Sequence, residues 1–317
     1  MRPYLTTPDL IDSYLEAGHW SRETMLDRYR IYSAKYPNKI ACRDGVESYT
    51  WEELERTSNS VATSFINLGL DRDATALIQI PSTSREIVLR VALKKAGIIG
   101  VFSPLQWRKK ELDYVWQRIN PSLVVMSSNF LVDDTDSWLN TNIAGLANSC
   151  LRLNIGSTPI ENWLGWKDQL DYTPNANALK ECAHRHFSFD EISLITASSG
   201  TSGFAKLCEW PEGAQMCQSR VLCERMEITD NDNIGIFAPT SGAAGLMMWM
   251  ASWTVPCTTT FPDNYKAHTI LDLIEEDKIT AGTTVPVILV RLTQEPLESR
   301  NLQSLRLMRV GTAAADM

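Results

Sequence analysis

The sequence predicts an α/β protein whose sheets are mainly parallel and flanked by helices. Three observations support this fold class. From residue 76 onward, short apolar runs alternate with segments of helical periodicity. Such alternation is typical of parallel strands joined by helices that cover the faces of the sheet. The 317 residues are 44% hydrophobic and 21% charged, as in a globular protein long enough to bury a substantial core.

The first 70 residues are predicted to hold a helical region, a hairpin and a second helix. Residues 9–35 carry apolar side chains at helical spacing. Residues 40–43 and 46–49 flank an Asp-Gly turn, which is typical of a β-hairpin. Thr50 precedes the next helix and Glu53 lies three residues later, which is the pattern of a capping box.

The remaining elements continue the alternation. The predicted strands are 76–80, 98–102, 122–126, 192–196, 234–237, 258–261, 280–285 and 305–310. The predicted helices are 84–95, 111–119, 213–226, 246–253, 268–276 and 287–292. Residues 127–190 show few periodic runs, so this segment carries no assigned element.

Composition and charge exclude several classes of function. The net charge of −8 argues against a dedicated nucleic-acid binder. The longest nearly apolar stretch, 242–255, is shorter than the roughly 20 residues that a membrane span needs, and no signal-peptide region is expected. Seven cysteines without a C-x-x-C pair favour reduced thiols and a cytoplasmic protein. Cys182, His184 and His186 lack a second ligand pair at zinc spacing, so no metal site is predicted.

The loop at residues 196–206 has the composition of a phosphate-binding site. It follows the predicted strand 192–196, and its polar and flexible residues are Ser198, Ser199, Gly200, Thr201, Ser202, Gly203 and Lys206. Glycines permit positive φ, so successive backbone N–H groups can converge on an anion, to which the hydroxyls and the lysine add donors and positive charge. This combination suits a polyphosphate.

A flexible Ser/Gly turn with a solvated lysine is the alternative interpretation of this loop, since such turns are common. The spacing disfavours a Walker loop, because Lys206 lies three residues after Gly203 and is followed by Leu207. It also disfavours the G-x-G-x-x-G pattern of dinucleotide-binding proteins.

Residues 198–206 (SSGTSGFAK) resemble the phosphate-loop signature TSGTTGxPK of the adenylate-forming superfamily, with Ala205 where proline is usual. This superfamily includes acyl-CoA synthetases, aryl-acid AMP ligases, nonribosomal adenylation domains and luciferases. Other stretches resemble its elements in the same order, from about residue 25 to the end of the chain: 49–54, 93–104, 278–286 and 310–314. The residues after Lys206 are more similar to the freestanding aryl-acid AMP ligases than to acyl-CoA synthetases.

The resemblance implies a fold and an activity. The expected fold is a truncated large N-terminal domain of an adenylating enzyme, with layered αβαβα sheets divided into subdomains at 1–190 and 191–317. The expected reaction converts a carboxylic acid and ATP, with Mg²⁺, into an acyl-adenylate. The acyl group then passes to the thiol of CoA or of a carrier-protein phosphopantetheine arm. The loop residues named above would bind the ATP phosphates, and no metal ligand is assigned to the chain itself.

The same resemblance places an acid pocket at Gly242, Ala243, Gly311, Thr312 and Ala313. Gly242 stands where the family usually has an aromatic or histidine gate, and Ala243 stands where dihydroxybenzoate ligases carry asparagine. A pocket lined by Gly242, Ala243 and Ala313 offers room and no polar group, which favours a bulky aryl, alicyclic or other apolar acid. The alternative is that residues 239–245 form a tight helix-packing contact, and the two interpretations are compatible.

The end of the chain leaves the enzyme incomplete in this interpretation. The adenine-contacting element, the ribose-binding aspartate and the lid that carries the catalytic lysine would all follow Met317. We therefore expect residues 1–317 to be inactive alone, and either a C-terminal segment or a second chain to complete the site. A non-catalytic binding module, which could recognise a carrier protein, and a phosphotransferase that uses the same loop are the alternatives. No nucleic acid and no membrane span is expected.

Overall fold

A computed structural model describes residues 6–128, 150–198 and 205–312. Its contacts group the chain into two units. The first unit comprises residues 1–7, 56–81 and 88–212, and the second comprises 8–55, 82–87 and 213–317. Each unit contains one sheet.

The helices and strands agree closely with the predicted alternation. The helices are α1 (Pro8–Glu16), α2 (Met25–Lys35), α3 (Trp51–Asn67), α4 (Ser84–Ala96), α5 (Lys109–Ile119), α6 (Trp166–Leu170), α7 (Ala176–Arg185), α8 (Glu212–Met226), α9 (Ala243–Thr254), α10 (Ala267–Glu276) and α11 (Pro286–Thr293), with a 3-10 turn at Leu297–Ser299. The strands are β1 (Ile40–Arg43), β2 (Ser48–Thr50), β3 (Thr75–Gln79), β4 (Ile99–Phe102), β5 (Leu123–Met126), β6 (Leu151–Asn154), β7 (Leu164–Gly165), β8 (Ile192–Ala197), β9 (Leu207–Pro211), β10 (Asn233–Ile236), β11 (Thr258–Thr260), β12 (Ala281–Thr284) and β13 (Leu307–Val310).

The sheet of the first unit has the strand order β7-β6-β5-β3-β4-β8-β9. Neighbouring strands are parallel except β8 and β9, which pair antiparallel. Every residue of β4 and β5 is buried, because helices cover both faces of a parallel sheet. Val101, Val124, Trp116 and Phe187 meet in one apolar cluster. The predicted fold class is therefore confirmed for this unit.

The sheet of the second unit has the order β13-β12-β10-β11-β1-β2 and is parallel except for the β1–β2 hairpin. Helix α10 packs its apolar face on this sheet around Phe237 and Ile279. Helix α9 is apolar on nearly all sides and is buried accordingly. Trp249 and Trp253 are 1% and 0% exposed, and their rings meet edge to face in the core with centroids 5.1 Å apart.

Helix α3 begins with the predicted capping box. The Thr50 amide donates to the Glu53 carboxylate at 2.8 Å, and the Glu53 amide donates to the Thr50 hydroxyl at 3.2 Å. These two bonds satisfy amides that a helix start leaves without partners.

The single helical region predicted over 9–35 is corrected to two helices. Gly18, with φ of 70°, follows the end of α1, a backbone conformation that glycine adopts at little cost. Thr24 then caps α2 in a second capping box with Asp27. The apolar spacing continues across both helices, so periodicity alone missed the break.

Several further features were not predicted. Strands β6 and β7 and helices α6 and α7 form within residues 150–185, where no element was assigned. Strand β9 stands between the loop at 196–206 and helix α8, where a loop leading into a helix was expected. In addition, β1 pairs in parallel with β11, which brings residues 8–55 into the second unit and makes the two units interleave along the chain. The subdomain boundary at residues 190 and 191 stays a prediction. None of the helices in the described ranges is long and apolar enough to cross a membrane.

Candidate functional site

The loop predicted to bind phosphate lies at the tip of the β8–β9 hairpin in the first unit. The strands pair up to Ala197 and Leu207, immediately before and after the loop. The Ser198 amide donates to the Lys206 carbonyl oxygen at 2.9 Å, and the Lys206 amide donates to the Ser198 hydroxyl at 2.9 Å. The two residues that bracket the predicted site are thus held together at its base. Ser199, Gly200, Thr201, Ser202 and Gly203 lie outside the described residues.

The charge of this loop comes from Lys206. Its side chain is exposed and forms no ion pair with the described part of the chain. An exposed ammonium next to a hairpin tip can reach an anion without first breaking a salt bridge. The antiparallel pair is further tied by a 2.9 Å hydrogen bond from the Trp210 indole N–H to the Thr196 hydroxyl.

Beneath the hairpin, strand β8 is anchored by a buried polar cluster that sequence reasoning missed. The Lys94 ammonium donates to the Ser193 hydroxyl at 2.7 Å and pairs with the Glu212 carboxylate. Burial lowers the pKa of Lys94, although the Glu212 carboxylate acts in the opposite direction. The cluster joins α4, β8 and the start of α8, so it fixes the strand that leads into the loop.

The first part of the predicted acid pocket is the start of helix α9 in the second unit. Gly242 is the N-cap residue, and it and Ala243 are both exposed. Among the described residues, a Cβ atom at Gly242 would meet only the Pro239 carbonyl oxygen, at the ordinary contact distance of 3.5 Å. A side chain therefore fits at the position where the family usually has its gate.

Close packing occurs one helical turn later. A Cβ atom at Gly245 would lie 2.2 Å from the Ala238 carbonyl oxygen and 2.6 Å from that of Pro239. Because backbone atoms cannot move aside as a flexible side chain can, only glycine fits here. The packing interpretation of residues 239–245 thus applies to Gly245, whereas the acid pocket at Gly242 and Ala243 stays a prediction.

A buried network holds the loop that leads into α9. The Thr240 amide donates to the Ser82 hydroxyl at 2.9 Å, and the Thr240 hydroxyl donates to the Glu86 carboxylate. Thr240 and Glu86 are each 1% exposed. Hydrogen bonds to a buried carboxylate are among the stronger ones, so this network fixes the approach to Gly242.

The second part of the predicted pocket follows strand β13. The Gly311 amide donates to the Thr284 carbonyl oxygen at 3.3 Å, which extends the β12–β13 pairing by one bond. Thr312 has φ of 76°, a left-handed conformation that costs a β-branched residue energy and that glycine adopts freely. Thr312 occupies the second position of the family's GGAP or GAAP stretch. Ala313 lies outside the described residues.

Arg309 connects the two parts of the pocket, and sequence reasoning missed it. Its Nη1 donates to the Ala244 carbonyl oxygen and to the Thr283 hydroxyl, both at 3.4 Å, and its Nη2 lies 3.7 Å from the Met247 sulfur. The Cβ position of Gly311 is 4.0 Å from Nη2. The predicted pocket had no charged group, and the structure adds a guanidinium beside Ala244 and Gly311. The available signal was strand alternation, which puts Arg309 and Gly311 on one face of β13.

The described residues contain no group of three His, Cys, Asp or Glu side chains placed to hold a metal ion. All seven cysteines are described, and all are free thiols. Cys182 is buried and donates to the Lys95 carbonyl oxygen at 3.3 Å, which gives it a structural contact.

Comparison with protein families and known proteins gives one consistent result. Residues 30–316 match the family model described as AMP-binding enzyme. Pseudomonine synthase PmsE of Pseudomonas entomophila (strain L48) is 23% identical over 325 residues, which cover 96% of this chain and 49% of that protein. The 2-hydroxy-7-methoxy-5-methyl-1-naphthoate–CoA ligase of Streptomyces carzinostaticus is 21% identical over 96% of this chain and 56% of its own length.

A solved structure, that of apo MbtA from Mycobacterium smegmatis, superposes with a TM-score of 0.85 at 21% identity and covers 96% of this chain and 55% of MbtA. This likeness confirms the predicted fold. The chain spans about half the length of the curated relatives it matches.

Proposed function

Because this chain belongs to the family of AMP-binding enzymes, we propose that the protein containing it activates a carboxylic acid with ATP and transfers the acyl group to a thiol. The observation that carries the proposal is the family match over residues 30–316, which includes the hairpin loop closed by Ser198 and Lys206. The relatives are adenylate-forming enzymes, among them AMP ligases and CoA ligases.

The proposed reaction has two steps. A carboxylate oxygen of the acid attacks the α-phosphorus of ATP, the bond to the β-phosphate oxygen breaks, and pyrophosphate leaves. A thiolate then attacks the acyl carbon of the acyl-adenylate, and AMP leaves with the electron pair of the broken C–O bond. The thiol belongs to CoA or to the phosphopantetheine arm of a carrier protein. In the first step the protein must mainly position the reactants and offset phosphate charge.

The hairpin loop would hold the β- and γ-phosphates. Lys206 would supply positive charge, and Ser198, Ser199, Gly200, Thr201, Ser202 and Gly203 would supply hydrogen-bond donors. The Lys206 ammonium is exposed and forms no ion pair within the described ranges, which fits this role. Mg²⁺ would share the phosphate charge, and we propose no protein ligand for it in this chain.

The acid would bind at the start of α9 and the end of β13. Gly242, Ala243, Gly311, Thr312 and Ala313 would shape this pocket, and the open space at Gly242 supports a substrate of some size. Residues beyond this chain, or a second chain, would supply the rest of the catalytic machinery, since the curated relatives are about twice as long. The seven free thiols suit a cytoplasmic location, which we also propose.

Acid-dependent ATP–pyrophosphate exchange tests the proposal directly. The assay would use the protein encoded by the complete gene and a panel of aryl, alicyclic and fatty acids, with Lys206→Ala as a control variant in which the use of ATP should be weakened. Exchange that depends on one class of acid supports the proposal. Release of inorganic phosphate without acid would point to a phosphotransferase or nucleotide hydrolase instead. Acid binding without any exchange would point to a non-catalytic binding module.

A further inference from the structure

Arg309 differs from other arginines of the second unit in its electrostatic surroundings. Arg43 pairs with Asp277 at 3.1 Å, Arg306 pairs with Asp232 at 3.0 Å, and Arg300 pairs with Asp272. Arg309 is half-buried, yet among the described residues its partners are neutral and distant: a carbonyl oxygen, a hydroxyl and a thioether. Burial alone lowers the pKa of Arg309, whereas hydrogen bonds to Asp272 raise that of Arg300.

Strand alternation directs Arg309 to this environment. Met308 packs into the apolar cluster around Phe237, on one face of the sheet. Arg309 points to the opposite face, toward Ala244 and Met247 on α9, beside its register partner Thr283. A partly desolvated cation with no counter-charge among the described residues is costly, so Arg309 contributes little to the stability of the fold through its charge.

The guanidinium also lies where a ligand could reach it. Ala244 follows the exposed pair Gly242 and Ala243, and Gly311 has no side chain to cover Nη2 from the other side. Among the described residues, these small residues therefore leave space beside the guanidinium. Its neutral hydrogen-bond acceptors, the Ala244 carbonyl oxygen and the Thr283 hydroxyl, both lie at the long distance of 3.4 Å. A planar guanidinium matches a carboxylate in bidentate geometry.

We propose that Arg309 binds a second carboxylate of the acid, and hence that the substrate is a dicarboxylic acid of which one carboxyl group is activated. This proposal rests on the proposed function. The carboxylate at Arg309 is not the reacting one, because a carboxylate held through both oxygens is a poor nucleophile toward phosphorus. Arg309 is thus a specificity-determining residue, and its counter-charge arrives with the substrate.

Paired acids that differ by one charge provide the test. The complete gene product is assayed by pyrophosphate exchange with benzene-1,3-dicarboxylate and with hexanedioate, each against its own monoamide. Arg309→Gln should lower kcat/KM about 10- to 100-fold for the dicarboxylates, the loss typical of a hydrogen bond to a charged group. The monoamides should change less than about threefold, and Arg309→Lys should recover part of the loss. Arg291→Gln, which removes the same charge from an exposed position on α11, should change neither.

A second pair of variants leaves Arg309 in place. Gly311→Asp introduces a carboxylate within reach of Nη2, and Gly311→Asn introduces a neutral group of the same shape. The aspartate should compete with the dicarboxylate and lower its use at least tenfold more than the asparagine does. This pair decides the question if Arg309→Gln proves unstable in thermal unfolding.

Several results would overturn the proposal. One is an equal loss on dicarboxylates and monoamides in Arg309→Gln, which would indicate contact with the nucleotide or the reacting carboxylate. Another is a wild-type preference for the monoamides. If no acid supports exchange, the proposed function fails. The role of Arg309 is then tested separately, by calorimetric measurement of benzene-1,3-dicarboxylate binding. Binding that is lost in Arg309→Gln but kept in Arg291→Gln supports the Arg309 site, whereas equal binding in both variants contradicts it.

Discussion

Lys94 and Glu212 form an ion pair with side chains that are only 6% and 2% exposed. Lys94 lies near the end of α4 and Glu212 begins α8, and the Ser193 hydroxyl of β8 contacts both. One oxygen of Glu212, Oε2, has no hydrogen-bond partner among the described residues. The stability of this buried site therefore depends on the presence of both charges.

Removing one partner of this pair should be strongly destabilising. Lys94→Met leaves the Glu212 carboxylate buried without a counter-charge, which typically costs about 3–5 kcal/mol. The double variant Lys94→Met/Glu212→Leu removes both charges and should recover most of that loss. Urea unfolding followed by circular dichroism would measure the three free energies of unfolding and their coupling. Additive effects of the two single changes would contradict the role of the pair.

Lys206→Ala should weaken the use of ATP without unfolding the protein. A lost contact between an ammonium and a phosphate costs on the order of 1.5–3 kcal/mol, or about 10- to 100-fold in kcat/KM for ATP. Lys180→Ala is the matched control, because Lys180 is an exposed lysine on α7 of the same unit. If Lys206→Ala had unchanged ATP kinetics and a normal circular dichroism spectrum, Lys206 would not be part of the phosphate site.

Gly242 and Gly245 should respond differently to added side chains. Gly242→Trp has room at its Cβ and should exclude large acids from the pocket while sparing the smallest ones. Gly245→Ala should instead destabilise the protein by about 1–3 kcal/mol, because its Cβ meets two backbone carbonyl oxygens. Acid-panel kinetics and thermal unfolding of both variants separate these effects. If Gly242→Trp lost both stability and activity on every acid, the result would show that Gly242 does not line the acid pocket.

Asp232 should make the second unit sensitive to acid. Burial acts to raise the pKa of Asp232, but hydrogen bonds from Thr280 and Arg306 outweigh burial and hold the pKa below its usual value. The unfolded chain therefore binds the proton more readily than the folded one. The stabilisation is fully present above the ordinary carboxyl pKa of about 3.9 and is lost as the pH falls through the lower folded value.

Unfolding free energies measured from pH 6 down to pH 2 would check this sign. Asp232→Asn should be less stable than wild type at pH 6, and the difference should shrink in the acid range. Asp12→Asn, a change at an exposed position of α1, should leave the pH profile unaltered. If the unfolding free energy of Asp232→Asn depended on pH in the same way as that of the wild type, other carboxylates would control acid unfolding.

Residues 1–317 alone should form little or no acyl-adenylate. The phosphate loop and the predicted acid pocket belong to this chain, but its curated relatives are about twice as long. A misplacement of about 1 Å can cost roughly a hundredfold in rate, so the loss of whole elements should cost more. Acid-dependent exchange by purified residues 1–317, compared with the complete gene product, would measure this. Comparable rates would show that the chain contains the full catalytic machinery.

Local sequence determined the secondary structure and the chemistry of the loop. The Thr50–Glu53 capping box and the alternation of apolar runs depend on neighbours within a few residues, and such signals are readable without a structure. The loop that is predicted to bind phosphate could be picked out for the same reason, since its glycines, hydroxyls and Lys206 lie within nine residues. Strand β9 was missed because its antiparallel pairing with β8, rather than its own composition, makes it a strand.

Tertiary structure alone decided which distant residues meet. The pairing of β1 with β11 joins positions more than 200 residues apart, and no local pattern encodes that register. The burial of Lys94 beside Glu212, and of Arg309 beside Ala244 and Gly311, follows from how helices pack on sheets. An isolated lysine or arginine in a sequence is ordinarily a solvated side chain. Its environment, and with it its pKa and its partner, exists only after the chain has folded, because desolvation and electrostatic attraction depend on distance in space.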